Sequence, residues 1–432
     1  MTDSDQTRSS SPLCRHVREL KTLWSAWIRI RSKALRSSDP NTRASANAVE
    51  ENPYGALLAL QRQLRSREFR FEPQKGVLKE RKGKNPRPLV ISPITNRIVQ
   101  RAILDTLQSA KPSVKGRLGS IPNILDTPTS VGGIPEKGSS DAVHLIRNSI
   151  ANGAKHYVRS DIKDFFTQVD TAKLITTIED VTGDAEFAAL LEDGLRVELA
   201  NADKPGIREW IHLFPGEALG VAQGSSLSAF CANFVLRDLD EALNQNGLIM
   251  VRYIDDFVIL SHSRTTVMRG WSVAQEMLSE IGLQVHDPSL NDDKASLGRV
   301  SQGFDFLSFR FRNNGVGLSR SAKSAILEKV DQVIADAKRS ISGSLTQKRR
   351  AEIRLAQALT ELDCQVRGWG DSFKEVDQRL EFKQLDGKIS SRIGGFIGWY
   401  TRQTRDRDSH EKMRALGVAL LYDTPTPVAP DE

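Results

Sequence analysis

The sequence predicts an α+β protein, with helices packed on one face of an antiparallel sheet and a mainly helical C-terminal part. Three observations carry this. A β-prone run spans Tyr157–Ile162, a second apolar stretch reads as strand–turn–strand over Ile249–Leu260, and helical spacing fills the intervals around them and most of the chain after Phe309.

The 432 residues leave room for two to four domains at roughly 100–200 residues each. With 39% hydrophobic and 27% charged residues the chain has the make-up of a soluble globular protein, which excludes fibrous and disordered classes. Lys and Arg number 61 against 54 Asp and Glu, a net charge of +7 that makes nucleic acid a natural partner. The three cysteines, Cys14, Cys231 and Cys364, form no C-x-x-C pair, so a disulfide framework and a zinc cluster are excluded and a reducing cytoplasm is expected. No apolar run approaches the ~20 residues that span a bilayer, and the N-terminus has no leader-like core. Neither membrane insertion nor secretion is expected.

In chain order, the first fourteen residues read as a polar tail that packs against nothing. From Val17, the residues Val17, Leu20, Trp24, Trp27 and Ile28 fall at helical spacing among Arg15, Arg18, Lys21, Arg29, Arg31 and Lys33, a basic amphipathic helix. Two roles stay open for it: contact with phosphates, or docking of its apolar stripe with the charges solvated. Ser37–Pro53 lacks periodicity and reads as a linker. Val77–Arg81 and Arg87–Ile91 flank the turn-like, basic Lys82-Gly-Lys-Asn-Pro and predict a β-hairpin. Asn96–Leu107 has helical spacing, whereas Lys111–Ser140 is rich in Gly and Pro and reads as loop. Helical stretches then run to about Ala200, with another helix from about Ser225 to Leu243. Ser321–Arg339 and Gln347–Arg367 are long amphipathic candidates, and the Pro-rich end at Thr424–Pro430 reads as a tail.

The chemistry is concentrated in Tyr253-Ile-Asp-Asp, where Asp255 and Asp256 lie between apolar β-prone runs. Desolvating two adjacent carboxylates is costly unless a cation shares them. A hairpin turn alone would also explain the pair, so Asp161 adds weight, since it ends the other predicted strand. Carboxylates on neighbouring strands are what two-metal phosphoryl transfer needs, although Asp161 by itself could equally cap the following helix. Between them, Gly220-Val-Ala-Gln-Gly-Ser-Ser-Leu-Ser228 is a small, polar loop entering a helix. Gly224 permits close backbone approach and Gln223 can touch a nucleotide, but a Ser-capped helix after a Gly turn needs no ligand.

Taken in order, these motifs resemble those of bacterial reverse transcriptases of the group that includes group II intron, retron and defence-associated enzymes. Arg87-Pro-Leu-Val-Ile with Asn96-Arg-Ile-Val-Gln-Arg-Ala resembles the fingers segment. Asp161–Phe166 is similar to the first catalytic motif, Ala222-Gln-Gly-Ser-Ser-Leu-Ser to the second, and Tyr253-Ile-Asp-Asp to the third. Asn291-Asp-Asp-Lys294 resembles the fourth, Phe304–Phe309 the primer grip, and Leu362–Trp369 the start of a thumb helix. The resemblance covers about residues 70–400. It implies a right-hand polymerase: a tail and basic helix over 1–50, fingers over 51–150, a catalytic palm over 151–315, a helical thumb over 316–415 and a tail over 416–432.

The resemblance further implies RNA-directed DNA synthesis with two Mg²⁺ ions, Mn²⁺ being the substitute, held by Asp161, Ile162, Asp255 and Asp256. Lys294 would neutralise or protonate pyrophosphate. Lys79 and Arg87 would contact the triphosphate of a dNTP, Gln223 and Gly224 would line the nascent pair, Tyr253 would also bind substrate, and Phe166 would disfavour a 2′-hydroxyl. Partners implied are a structured non-coding RNA template, its DNA product and the RNA–DNA hybrid, gripped through phosphates by basic residues including Lys348, Arg349, Arg350 and Arg354. Three positions depart from the family pattern: Asn96 replaces an acidic residue, Ala229 a proline and Ser308 a glycine. With no His/Cys endonuclease module after the thumb, the chain looks most like the stand-alone antiphage enzymes. Retron-type or intron-derived synthesis, untemplated or protein-primed synthesis, and an RNA-binding scaffold with a vestigial polymerase fold are the alternatives.

Overall fold

The computed structural model describes residues 11–81, 83–216, 219–290, 294–347, 351–418 and 420–421. Two compact units divide the chain, residues 1–298 and 299–432.

The first unit begins with α1 (Pro12–Val17), α2 (Leu20–Leu35), α3 (Pro40–Glu51) and α4 (Pro53–Ser66). Three of these start with Pro in the first turn behind a capping side chain: Ser11, Asp39 and Asn52 accept from the backbone N–H of Cys14, Thr42 and Gly55. These starts overturn two expectations. Ser11–Cys14 is no free tail, because Leu13 and Cys14 are buried and Ser11 Oγ donates to Asp184 Oδ2 at 2.6 Å; residues 1–10 of the expected tail lie outside the described residues. Nor is Ser37–Pro53 a linker. It forms α3, whose buried residues are only Thr42 and Ala46, too small and few to show a periodic pattern. The basic helix is also turned from its expected face. Leu23, Ala26 and Trp27 enter the core beside α5 (Ile94–Leu107), while Trp24 is 41% and Ile28 52% exposed.

β1 (Lys75–Arg81) and β2 (Lys84–Ile91) form the expected hairpin; Lys82, in its tip, lies outside the described residues. Lys111–Ser140 holds α6 (Pro112–Lys115) and a single 3₁₀ turn at Ile121–Ile124 before α7 (Ser139–Ala151) begins. The largest sheet then takes β3 (His156–Asp161), β4 (Ile249–Tyr253), β5 (Asp256–Ser261) and β6 (Ser296–Arg299) in the order β4-β5-β3-β6. β3–β5 and β4–β5 are antiparallel. Phe257–Leu260 are wholly buried, so the central strand has no solvent-facing side. Between β3 and β4 come α8 (Phe165–Gln168), α9 (Thr171–Thr182), α10 (Ala185–Leu195), α11 (Pro205–Arg208), α12 (Ser228–Val235) and α13 (Arg237–Ala242), and after β5 comes α14 (Arg264–Glu280). The single helix expected over Ser225–Leu243 is thus two, with buried Leu236 at the bend between them.

The second unit is mainly helical after Phe309, as expected, with one feature the sequence did not suggest. It opens with a three-stranded meander, β7 (Phe304–Phe306), β8 (Phe309–Arg312) and β9 (Gly315–Leu318). Gly-Val-Gly-Leu carries little strand signal, because what holds β9 comes from far along the chain. The N–H of Val316 donates to Asp377 Oδ1 at 3.0 Å and that of Leu318 to Glu381 Oε2 at 2.6 Å. Side chains at Gly315 and Gly317 would collide with these two carboxylates. The helices are α15 (Arg320–Gln347), α16 (Leu355–Ser372), α17 (Arg379–Thr404) and α18 (Ser409–Leu416). α15 runs past the expected Arg339, and α16 starts at Leu355 instead of Gln347. Lys348, Arg349, Arg350 and the Thr424–Pro430 tail lie outside the described residues; Arg354 is the N-cap of α16. Among the described residues no helix is long and apolar enough to cross a membrane.

The β7–β8 turn makes one departure from the family pattern measurable. Leu307 and Ser308 both have positive φ, 49° and 71°, as a two-residue hairpin loop of this hand demands. Ser308→Gly removes left-handed strain of about 1–2 kcal/mol but loosens the unfolded chain, so a net gain of about 0.5–1 kcal/mol is expected. Thermal unfolding reads it, and an unchanged or lower midpoint would refute the strain argument.

Candidate active site

Register brings the three carboxylates together. Asp161, the last residue of β3, pairs with Asp256, the first of β5, and Asp256 pairs on its other side with Tyr253, the last of β4. Ile254 and Asp255 make the turn between β4 and β5, with Ile254 at φ 61°. The N–H of Ile162 donates to the carbonyl of Asp255 at 3.1 Å, tying the two motifs through the backbone. Ile162 is itself buried, so only its backbone could serve an ion. Asp161 is not the helix cap weighed from sequence: the cap position of α8 is Asp164.

The electrostatics are those of acids pressed together. Burial pushes the Asp256 carboxyl up to about 7, and the neighbouring charges of Asp255 and Asp161 add to this against Arg159 and Lys294. Burial likewise raises Asp255, which Arg87 and Lys294 draw back. Asp161 Oδ1 is buried without a hydrogen-bond partner, and His286 Nε2 lies 3.5 Å away. Its other oxygen accepts from Lys294 Nζ at 2.8 Å, and Lys294 Nζ is 3.2 Å from His286 Nε2. Three hard oxygen donors, mutual repulsion and one orphaned oxygen fit a divalent cation. The three carboxylates are nevertheless not a preformed site: among the described residues no group of three or more His, Cys, Asp or Glu is placed so as to hold a metal ion.

The remaining predicted residues divide. Arg87 Nε donates to Gln223 Oε1 at 2.7 Å, and the N–H of Val90 donates to the Gln223 carbonyl at 2.9 Å, so β2 lies along the second motif. Gly224, at φ 119°, brings its Cα so near β2 that a Cβ would stand 2.8 Å from the Val90 carbonyl oxygen. The second-motif loop is no Ser-capped helix start, since Ser228 Oγ turns back to the Ala222 carbonyl at 2.6 Å. Phe166 is half-buried, edge-on to the buried Phe165 at 5.5 Å. Lys79 is exposed and faces Arg87 across the hairpin. Asn291–Asp293 of the expected fourth motif lie outside the described residues.

Two contributors escaped the sequence reading. His286 reaches Asp161 because Gln284 and His286 bond the backbone on either side of Ile162, and one histidine in a loop gives no signal of that. Gly132 supports the carboxylate turn so closely that a Cβ would meet the Ile254 N–H at 2.6 Å. The pair Gly132–Gly133 inside an unassigned loop was its only trace.

The family model described as reverse transcriptase (RNA-dependent DNA polymerase) matches residues 77–311, more than half of the chain. The chain belongs to the reverse transcriptase family. Its fold is the right-hand polymerase fold, and its enzyme class is RNA-directed DNA polymerase, a nucleotidyltransferase; members of the family generally use divalent metal ions. Protein YkfC of Escherichia coli (strain K12) is 21% identical over 366 residues, covering 74% of this chain and 87% of that protein. An uncharacterized 91 kDa protein in cob intron of Schizosaccharomyces pombe is 25% identical over 178 residues, 41% of this chain and 20% of that protein. Among solved structures, a partial Cas6-RT-Cas1–Cas2 complex is similar at 22% identity and TM-score 0.35, covering 63% of this chain and 42% of that one. A telomerase from Candida albicans, in complex with a fragment of telomeric RNA, is similar at 14% identity and TM-score 0.40, covering 81% of this chain and 61% of that one.

In this reverse transcriptase the contact at Gly224 has a measurable consequence. Gly224→Ala must push the second-motif loop off β2 and adopt a φ that costs about 1–3 kcal/mol in a residue with a side chain. Because Gln223 moves with it, the KM for dNTP is expected to rise roughly tenfold in steady-state primer extension. A KM within twofold of the parent would show that the loop does not meet the nucleotide.

Proposed function

We propose that the protein copies a dedicated structured RNA into DNA by two-metal nucleotidyl transfer, in bacterial antiphage defence. The observation that carries the chemistry is the register of Asp161 opposite Asp256 with Asp255 at the adjoining turn, which gathers three carboxylates, two of them raised by burial and by like charge. Asp161, Asp255 and Asp256, with the Ile162 backbone, would hold the ions. Mg²⁺ bound there would make the primer 3′-hydroxyl a better nucleophile and neutralise charge on the departing pyrophosphate. Arg87 would hold the triphosphate from the hairpin, with Lys79 beside it, while Gln223 and Gly224 form the floor under the new base pair. Phe166 would stand against the sugar and select deoxyribose. Lys294 would move from Asp161 to the pyrophosphate oxygens once cations take over the carboxylate. Positioning and fixed charge then supply most of the acceleration. The defence role is supported by the departures at Asn96, Ala229 and Ser308 from the intron and retron pattern.

The test is sequencing of RNA and DNA that co-purify from cells with the native protein and with Asp255→Asn/Asp256→Asn. A discrete RNA in both, with complementary DNA in the native sample alone, is expected. DNA unrelated to any bound RNA would replace templated with untemplated synthesis, and RNA with DNA in neither sample, even during phage infection, would point to a scaffold.

A further inference from the structure

Behind the carboxylate turn lies a charge pair that no motif marks. Arg252 on β4 is fully buried, and its guanidinium grips Asp240 on α13 with two bonds: Nε to Oδ1 at 2.7 Å and Nη2 to Oδ2 at 2.5 Å, side-chain exposures being 0% and 1%. Its remaining nitrogen, Nη1, donates to the carbonyl of Ile254 at 2.8 Å. That carbonyl belongs to the peptide immediately before Asp255. The carbonyl after it, that of Asp255 itself, is held by the Ile162 N–H at 3.1 Å. Both peptide planes flanking Asp255 are therefore pinned, which fixes the direction in which its carboxylate leaves the backbone.

The pinning is needed because the turn is strained. Ile254 is β-branched and sits at φ 61°, a conformation that persists only when its surroundings over-determine it. A parallel strap supplies the rest of the hold. Thr129 accepts from the Arg252 N–H and the Val131 N–H donates to the Arg252 carbonyl, both at 3.0 Å. Asn233 Nδ2 donates to the Gly132 carbonyl at 2.9 Å, and Ser130 Oγ donates to Asn233 Oδ1 at 3.0 Å. Stability alone does not account for the ion pair, since apolar residues of similar volume in place of a buried pair are often neutral or stabilising.

We propose that Asp240 and Arg252 are positioning residues for the metal-binding turn: the pair orients Arg252 Nη1 on the Ile254 carbonyl and so aims Asp255 and Asp256. The inference rests on the assignment of those two carboxylates to the metal site. The double variant Asp240→Leu/Arg252→Met removes the pair without leaving a lone buried charge. Primer extension on a homopolymer RNA template with Mg²⁺, Mn²⁺ affinity by calorimetry, and thermal unfolding are measured together. Expected are an unfolding midpoint equal to or above that of the parent, a kcat lowered roughly 10–100-fold with dNTP KM little changed, and a Mn²⁺ dissociation constant raised about tenfold. A merely structural pair would lower the midpoint and leave metal affinity alone. A folded double variant with parental kcat and Mn²⁺ affinity overturns the proposal. If the double variant does not fold, Arg252→Lys decides, because lysine keeps the charge and loses the three-way grip: weakened Mn²⁺ binding supports the positioning role and parental binding overturns it. Asp255→Asn run alongside separates the two levels. Full synthesis by that variant would overturn the site assignment itself, whereas its inactivity beside an unimpaired double variant would overturn the positioning role alone.

Discussion

Asp256→Asn will stabilise the metal-free protein while abolishing DNA synthesis, two effects of opposite sign from one exchange of oxygen for nitrogen. The carboxyl is raised from 3.8 to about 7, chiefly by burial and then by Asp255 and Asp161. At about 1.4 kcal/mol per unit this is on the order of 4–5 kcal/mol, which partial solvent access reduces toward about 2. The sign follows from the order of ionisation. Below about pH 4 Asp256 is neutral folded and unfolded, and the variant has no advantage. As pH rises toward about 7 the unfolded chain ionises first, so the parent loses stability across that window and the deficit is constant above it. The amide carries no such penalty. With chelator present, the unfolding midpoint of Asp256→Asn should exceed the parent's by several degrees at about pH 8, with the two curves meeting near about pH 4. Adding Mg²⁺ should raise the parent and leave the variant nearly unmoved, since ligand stabilisation needs a site that prefers the folded state. Synthesis should fall by roughly 10²–10³-fold or more. A variant less stable than the parent at alkaline pH without metal would mean that these carboxylates are not in conflict.

Why the carboxylates could be found in the sequence, and their supports could not, comes down to where each signal lies. Tyr253–Asp256 and Asp161 sit at the ends of apolar runs whose alternation with turns is local, and pairing those runs antiparallel is enough to bring the acids close. The hairpin at Lys75–Ile91 was legible for the same reason, its turn residues being adjacent to its strands. Asp240 and Arg252 are separated by a helix end and a loop, and nothing in either residue's neighbourhood distinguishes a buried partner from a solvated charge. His286 depends on an isolated bridge between Ile162 and Val285. β9 depends on Asp377 and Glu381, about sixty residues further along. α3 is hidden differently: Asp39 and Pro40 mark its start, but the lack of large apolar residues leaves no periodicity behind that signal. The polar stretch is a helix because Asp39 caps its start ahead of Pro40 and its two small buried residues suffice to seat it.

The departure at Asn96 leads to the second large effect. Asn96 is fully buried and makes a reciprocal pair with one residue's backbone: the Glu72 N–H donates to Oδ1 at 3.1 Å, and Nδ2 donates to the Glu72 carbonyl at 2.8 Å. Only a side chain with both a donor and an acceptor can do this. An aspartate, the acidic residue closest in shape, keeps the first bond and turns its second oxygen against the carbonyl, or else takes up a proton. Asn96→Asp is therefore expected to destabilise by about 2–4 kcal/mol at neutral pH, the cost of an unsatisfied and charged buried acceptor. Because burial raises the new carboxyl, the deficit should be fully present at alkaline pH and shrink as pH falls toward the ordinary carboxylate range, where a protonated acid restores the donor. Activity should suffer with stability, since Glu72 leads straight into Gln74, whose N–H donates to the Glu198 carbonyl at 2.7 Å and whose carbonyl accepts from Ala200 at 2.8 Å. These bonds, with the two that Asn201 makes to Gly76, hang the hairpin that carries Lys79 and Arg87. Denaturant unfolding at two pH values checks the prediction. An aspartate variant as stable as the parent at alkaline pH would show that the Glu72 carbonyl can turn away from position 96, and with it that the base of the hairpin is not fixed there.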